Sequence, residues 1–168
     1  VQEFDSAQEA LSAYEGGKCQ VITSDQSTLY SLRTQLKNPT DWKVLAEVIS
    51  KEPLGPAVAS GNGTLAKIVR WSLFVMLDAE EVGITIENVD QVRQLSRDPA
   101  VRRLLGLEKN TGESLGLSRD WAYNIIKQVG NYAESFNRNV GKSSPLKVKR
   151  GLNALWRDGG LHYAPPID

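Results

Sequence analysis

The sequence predicts an α/β fold, helix-rich in its C-terminal half, and three observations carry that prediction. Short β-branched segments alternate with helical ones across residues 1–59, in the order strand, helix, strand, helix, strand. The helical segments are bounded by capping residues and glycines. Of the 168 residues, 40% are hydrophobic and 24% charged, an ordinary globular composition that supplies a core for one domain or two small ones.

Val1 to Phe4 reads as the end of a strand. Ser6-Ala-Gln-Glu9 has the form of a capping box, in which the Ser side chain accepts from the third helical N–H and the Glu reaches back. Ala7, Ala10, Leu11 and Tyr14 continue at helical spacing until Gly16-Gly17. Cys19 to Thr23 is a strand by composition, with Ser24 and Asp25 at its carboxyl end. A second helix opens at Asp25 or Gln26 and carries Leu29, Leu32 and Leu36. Lys37 to Thr40 is a turn, Trp42 to Ile49 a strand interrupted by Pro53 and Gly55, and Pro56 to Ala59 a further extended stretch.

Thr64 is the expected cap of a helix over residues 65–82. Leu65, Ile68, Val69, Leu73 and Met76 lie on one face of it, and Trp71, Phe74 and Val75 on another. A helix apolar over that much of its circumference is packed from two sides, so its aromatics read as core rather than as a ligand box. Short helices follow at 87–96 and 99–105, then a Gly-rich loop at 107–117. Ser118 caps an expected long helix, residues 119–137, on which Trp121, Ile125, Val129, Tyr132 and Phe136 form one stripe. Leu146 to Trp156 is expected as a short basic helix ended by Gly159-Gly160, and the tail is extended.

Charge and composition exclude several functions. Twenty Lys and Arg balance twenty Asp and Glu, so no overall field draws the chain to nucleic acid. The basic residues Lys142, Lys147, Lys149, Arg150 and Arg157 read as a solvated face. The longest apolar run, Leu73 to Leu77, is too short to span a membrane, and the acidic first fifteen residues are not a signal peptide. One cysteine, Cys19, and one histidine, His162, leave no set of residues for a cysteine-based zinc site or an internal disulfide, and no metal cluster or cofactor motif is visible. Gly61-Asn-Gly63-Thr64 lacks the lysine of a phosphate loop and reads as a turn. Glu80 and Glu81 point about 100° apart on a helix and read as solvated surface.

Asp25 stands out without reference to any family. A carboxylate at the carboxyl end of a strand, opening a helix, sits where open α/β sheets bind ligands. An N-cap needs only an acceptor at the same place, and one residue can do both. An enzymatic reading, with Asp25 as acid or base, lacks a second catalytic group.

Lys18-Cys-Gln-Val-Ile-Thr-Ser-Asp-Gln-Ser-Thr-Leu29 resembles the strand–Asp–helix segment of periplasmic amino-acid-binding proteins, and Val48 to Val58 resembles their return crossover between lobes. Arg119-Asp-Trp-Ala-Tyr-Asn124, Asn131-Tyr132, Gly151 to Trp156 and Gly159 to Pro166 resemble the C-terminal signature of the general L-amino-acid-binding proteins of ABC transporters. The resemblance implies a partial periplasmic-binding-protein fold of type 2, N-terminally truncated. Residues 1–48 would be the later half of lobe 2, 49–56 the interlobe crossover and hinge, and 57–168 the C-terminal part of lobe 1.

It further implies binding rather than catalysis, in the periplasm, of free L-amino acids delivered to a membrane permease. Asp25 would pair with the ligand ammonium, Ser24 would touch the ligand, and Lys51 and Glu52 at the crossover would border the cleft. The arginine for the ligand carboxylate, and a partner for Cys19, would lie outside these residues. The isolated chain is therefore expected to bind amino acids weakly or not at all, or to serve as an interaction or regulatory fragment. Its unpaired strand edges are expected to favour a homo-oligomer swapped near Ile49 to Pro56.

Overall fold

The computed structural model describes residues 1–51 and 53–167. They form two compact units: residues 1–54 with 140–148, and residues 55–139 with 149–168.

In the first unit, α1 (Ala7–Glu15) begins as expected, with the Ser6 hydroxyl accepting from the Glu9 N–H at 3.2 Å. The second helix, α2 (Gln26–Gln35), places Leu32 and Leu36 against Leu11 of α1, with Tyr14 and Ile22 alongside. Tyr14 also meets Trp42 at 4.8 Å between ring centroids. Arg33 of α2 donates to the Leu146 carbonyl at 3.2 Å, which ties residues 140–148 to this unit.

The expected strands differ from what is observed. Among the described residues no strand ladder forms, and Cys19 to Thr23 and Trp42 to Ile49 run without regular structure. β-branched composition supplies the propensity for a strand but not the neighbour whose N–H and C=O groups complete it. Val21 (71%), Val48 (72%) and Ile49 (82%) are accordingly left exposed.

The second unit is built around α3 (Gly63–Glu81), whose cap is Asn62 rather than Thr64: the Asn62 side chain accepts from the Leu65 N–H at 3.0 Å. This helix is packed from two sides, as its pattern predicts. Val75 and Ala79 join Ile84, Val89, Leu104, Leu105, Trp121 and Ile126 in the main core, while Leu77 faces a second cluster with Leu155 and Ala164. Trp71 and Phe74 meet edge-to-face at 5.4 Å and pack on these two clusters. Leu65 and Leu73 remain exposed. Two short helices follow, α4 (Val89–Leu95) and α5 (Pro99–Leu104), the latter capped by Asp98, which accepts from the Ala100 N–H.

The expected helix over 119–137 is two helices, α6 (Trp121–Val129) and α7 (Tyr132–Asn139). Gly130, at φ 81°, breaks the ladder between them, and Ser118 is not the cap. The expected basic helix at 146–156 is absent: this stretch holds only a single 3₁₀ turn, Gly151–Asn153, with another at Trp156–Asp158. The second turn opens a loop that doubles back, with the Trp156 N–H on the His162 carbonyl at 2.9 Å and the Leu161 N–H on the Leu152 carbonyl at 2.9 Å. Gly160 is required there, because a Cβ would collide with the Ala154 carbonyl.

Candidate functional site

Asp25 is the N-cap residue of α2, with extended backbone (φ −52°, ψ 142°), and its carbonyl accepts from the Leu29 N–H at 2.9 Å. Its carboxylate makes no capping hydrogen bond. That carbonyl bond is the ordinary first bond of the helix and not a cap, so the carboxylate of this half-buried residue stands at the positive end of α2 without capping it. Ser24, immediately before it, is exposed, and so is Lys51. Among the described residues no hydrogen bond or ion pair joins Ser24, Asp25 and Lys51. Glu52 lies outside the described residues.

Several other groups are already occupied. Glu80 and Glu81 are not the solvated pair their adjacency suggested. Glu80, with a side chain 13% exposed, binds Arg150 Nη2 through both oxygens at 2.9 and 3.1 Å, and Glu81 accepts from the Trp156 indole at 3.3 Å. Arg150 is thereby removed from the basic stretch. It lies over the rings of Tyr132 and Phe136, each 5.3 Å away, and donates to the Asn153 carbonyl. Burial beside that guanidinium holds His162 below the ordinary histidine range, so its imidazole is neutral near pH 7. On the outer side, hydrogen bonds from Lys127 and then Tyr123 hold Asp90 below the usual carboxylate range. These networks brace helices. Among the described residues no group of His, Cys, Asp and Glu can hold a metal ion, and no helix is long and apolar enough to cross a membrane.

One concavity in the second unit was not foreseen. A cleft of about 280 Å³ opens between the end of α3, α5 and the C-terminal segment, lined by Asp78, Glu81, Arg103, Leu104, Trp156, Tyr163 and Ile167 among others. Burial, and then the charge of Glu81, push the Asp78 carboxyl up to about 7. Its residues come from three distant parts of the sequence, so no local pattern announces it.

No family model matches the chain. Individual proteins do. Over 164 residues the chain is 56% identical to YhdW of Escherichia coli, provisionally described as an amino-acid ABC transporter-binding protein, covering 98% of this chain and 48% of that one. It is 53% identical over 166 residues to AapJ, the general L-amino acid-binding periplasmic protein of Rhizobium johnstonii, with the same coverage. In structure it matches an ABC transporter periplasmic binding protein from Brucella ovis, solved with glutathione bound. The TM-score is 0.89 and the identity 48%, over 98% of this chain and 52% of that one.

Fold and sequence thus define part of a periplasmic binding protein, helix-rich in the part seen here. Over nearly its whole length the chain is similar to amino-acid-binding proteins of ABC transporters, and it spans about half the length of the curated relatives it matches.

Proposed function

We propose that this chain serves in the capture of L-amino acids in the periplasm for an ABC transporter permease, by binding and not by catalysis. The observation that carries the reading is the 53% identity to a general L-amino acid-binding protein over 98% of the chain. Asp25 holds the ligand ammonium, a charge-assisted contact worth about 1.5–3 kcal/mol when formed. Its freedom from the capping bond supports that role. Ser24 borders the ligand, and Lys51 and Glu52 border the cleft from a hinge at residues 49–56, with residues 1–48 and 57–168 contributing to the two lobes.

The chain supplies only the ammonium half of such a site. A zwitterion bound there leaves its carboxylate unpaired and desolvated, so affinity is millimolar or weaker. Calorimetry with glutamate, glutamine, leucine and, because the Brucella ovis protein carries it, glutathione tests this. A weak response abolished in Asp25→Ala supports the proposal, and a response unchanged in that variant overturns the role of Asp25. Tight binding overturns the half-site argument. Silence toward every ligand at high concentration favours the second reading, an interaction or regulatory fragment without ligand.

A further inference from the structure

We propose that the cleft beside the C-terminal end of α3 is a second binding site, for a small aromatic amine. It lies wholly within the second unit and is independent of Asp25. Its walls are mostly apolar: Val82, Leu104, Pro166 and Ile167 are among the lining residues, and about 280 Å³ accommodates a ring with a short tail. Two aromatic side chains stand at the site, Trp156 and Tyr163, edge-to-face with centroids 5.9 Å apart and both substantially exposed. An exposed aromatic pair beside an apolar cleft offers a ring a stacking surface and offers a cation two π faces.

The polar groups select the charge. Asp78 Oδ2 is buried and makes no hydrogen bond. A buried acceptor left without a donor is costly, and an ammonium group supplies up to three donors. Glu81 lies one turn further along α3 and already receives the Trp156 indole N–H. The facing cation on α5, Arg103, has Glu108 at 3.9 Å from its Nη1. Glu108 is shared with Arg102, 3.0 Å away, so what the cleft itself offers a cation is the Asp78 and Glu81 carboxylates on one wall. The site therefore takes a ligand whose apolar body lies on Trp156 and Tyr163 and whose ammonium reaches Asp78.

Among the described residues lining the cleft with Asp78, the titratable and charged groups are Glu81 on its own helix, Arg103 on α5 and Tyr163 in the C-terminal segment. A bound cation favours the ionised carboxylate. With Asp78 near 7, the ionised fraction rises about tenfold from pH 6 to pH 8, and affinity for the amine rises with it before levelling off.

The probes are 2-phenylethylamine and 2-phenylethanol, which share a ring and differ in charge, titrated calorimetrically into the full chain at pH 6, 7 and 8. The expected result is a Kd on the order of a millimolar for the amine at pH 8, at least about tenfold weaker binding of the alcohol, and weaker amine binding at pH 6. Asp78→Asn removes the amine preference, Tyr163→Ala weakens both probes, and Asp25→Ala changes neither. Equal binding of the two probes, no amine binding up to about 10 mM, or an amine affinity that survives Asp78→Asn overturns the proposal. Because Asp25→Ala is silent here and decisive for amino acids, the two sites fail separately.

Discussion

Asp78 is the residue whose protonation the fold decides most clearly. Its carboxyl is raised from 3.8 to about 7 by burial first and by Glu81 second. The folded value lies above the unfolded one, so the native state binds the proton more tightly. The resulting stabilisation is complete below about pH 4 and is lost as pH rises through about 7. A rise of that size corresponds formally to about 4 kcal/mol, but the side chain is only half buried and solvent screening cuts this to about 1 kcal/mol. Asp78→Asn mimics the protonated form. It is expected to raise Tm at pH 8 by about 2–4 °C and to leave Tm unchanged near pH 4. A calorimetric Tm series across that range checks the sign. Asp25 is the opposite kind of residue, legible from its place between a β-branched run and a helix. The sequence alone left its cap role open, because cap and ligand readings both ask only for an acceptor, and the absent capping bond comes from coordinates.

The junction between α6 and α7 shows where element-level reading succeeds and where it stops. Trp121, Ile125, Val129, Tyr132 and Phe136 keep helical spacing across Gly130, so periodicity alone continues the helix through it. In the structure Ile126 is fully buried and Val129 exposed, because the chain turns at Gly130. The missed signal was Asn131-Tyr-Ala-Glu134, a capping box of the same form as Ser6 to Glu9. Asn131 Oδ1 accepts from the Glu134 N–H at 2.9 Å, and Glu134 Oε2 accepts from the Asn131 N–H at 2.9 Å. The box is also a tertiary clamp. Asn131 Nδ2 donates to the Ile84 carbonyl at 2.8 Å, and Glu134 accepts from the Ile86 N–H. Asn131 is 5% exposed, so Asn131→Ala removes the cap and strands a buried carbonyl, at a cost of about 2–3 kcal/mol. Asn131→Asp keeps the cap acceptor but sets a buried carboxylate against the Ile84 carbonyl and beside Glu134, so it costs at least as much. Urea unfolding of the three proteins checks the order. By contrast, burial of α3 on two sides was legible in the apolar circumference of one continuous segment, although Leu65 and Leu73 of the expected face lie exposed and the cap is Asn62, not Thr64.

At the scale of the whole chain, the two units differ in how much core each holds. The second unit buries Val75, Ala79, Ile84, Val89, Leu104, Leu105, Trp121 and Ile126 in one cluster and Leu77, Leu155 and Ala164 in another. The buried cluster of the first unit is Leu11, Leu32 and Leu36, with Tyr14 and Ile22 partly covered. Small units with so little buried apolar surface are marginal on their own. The segments that read as strands in the first unit also leave Val21, Leu45, Val48 and Ile49 exposed, with no ladder among the described residues to protect their amides. Unpaired, apolar, β-prone segments recruit partners, and a second copy of the chain is the partner always at hand. The chain is therefore expected to unfold in two steps. Amides of residues 42–51 should exchange near the rate of an open chain and those of α1 and α2 through opening of the first unit alone, while those of α3 and α6 are protected to the level of global unfolding. At high concentration light scattering is expected to report a dimer or larger, and exchange at residues 42–51 should slow as that species forms. If the chain stays monomeric and residues 42–51 are nonetheless as protected as α3, association is not what their exposed side chains are for.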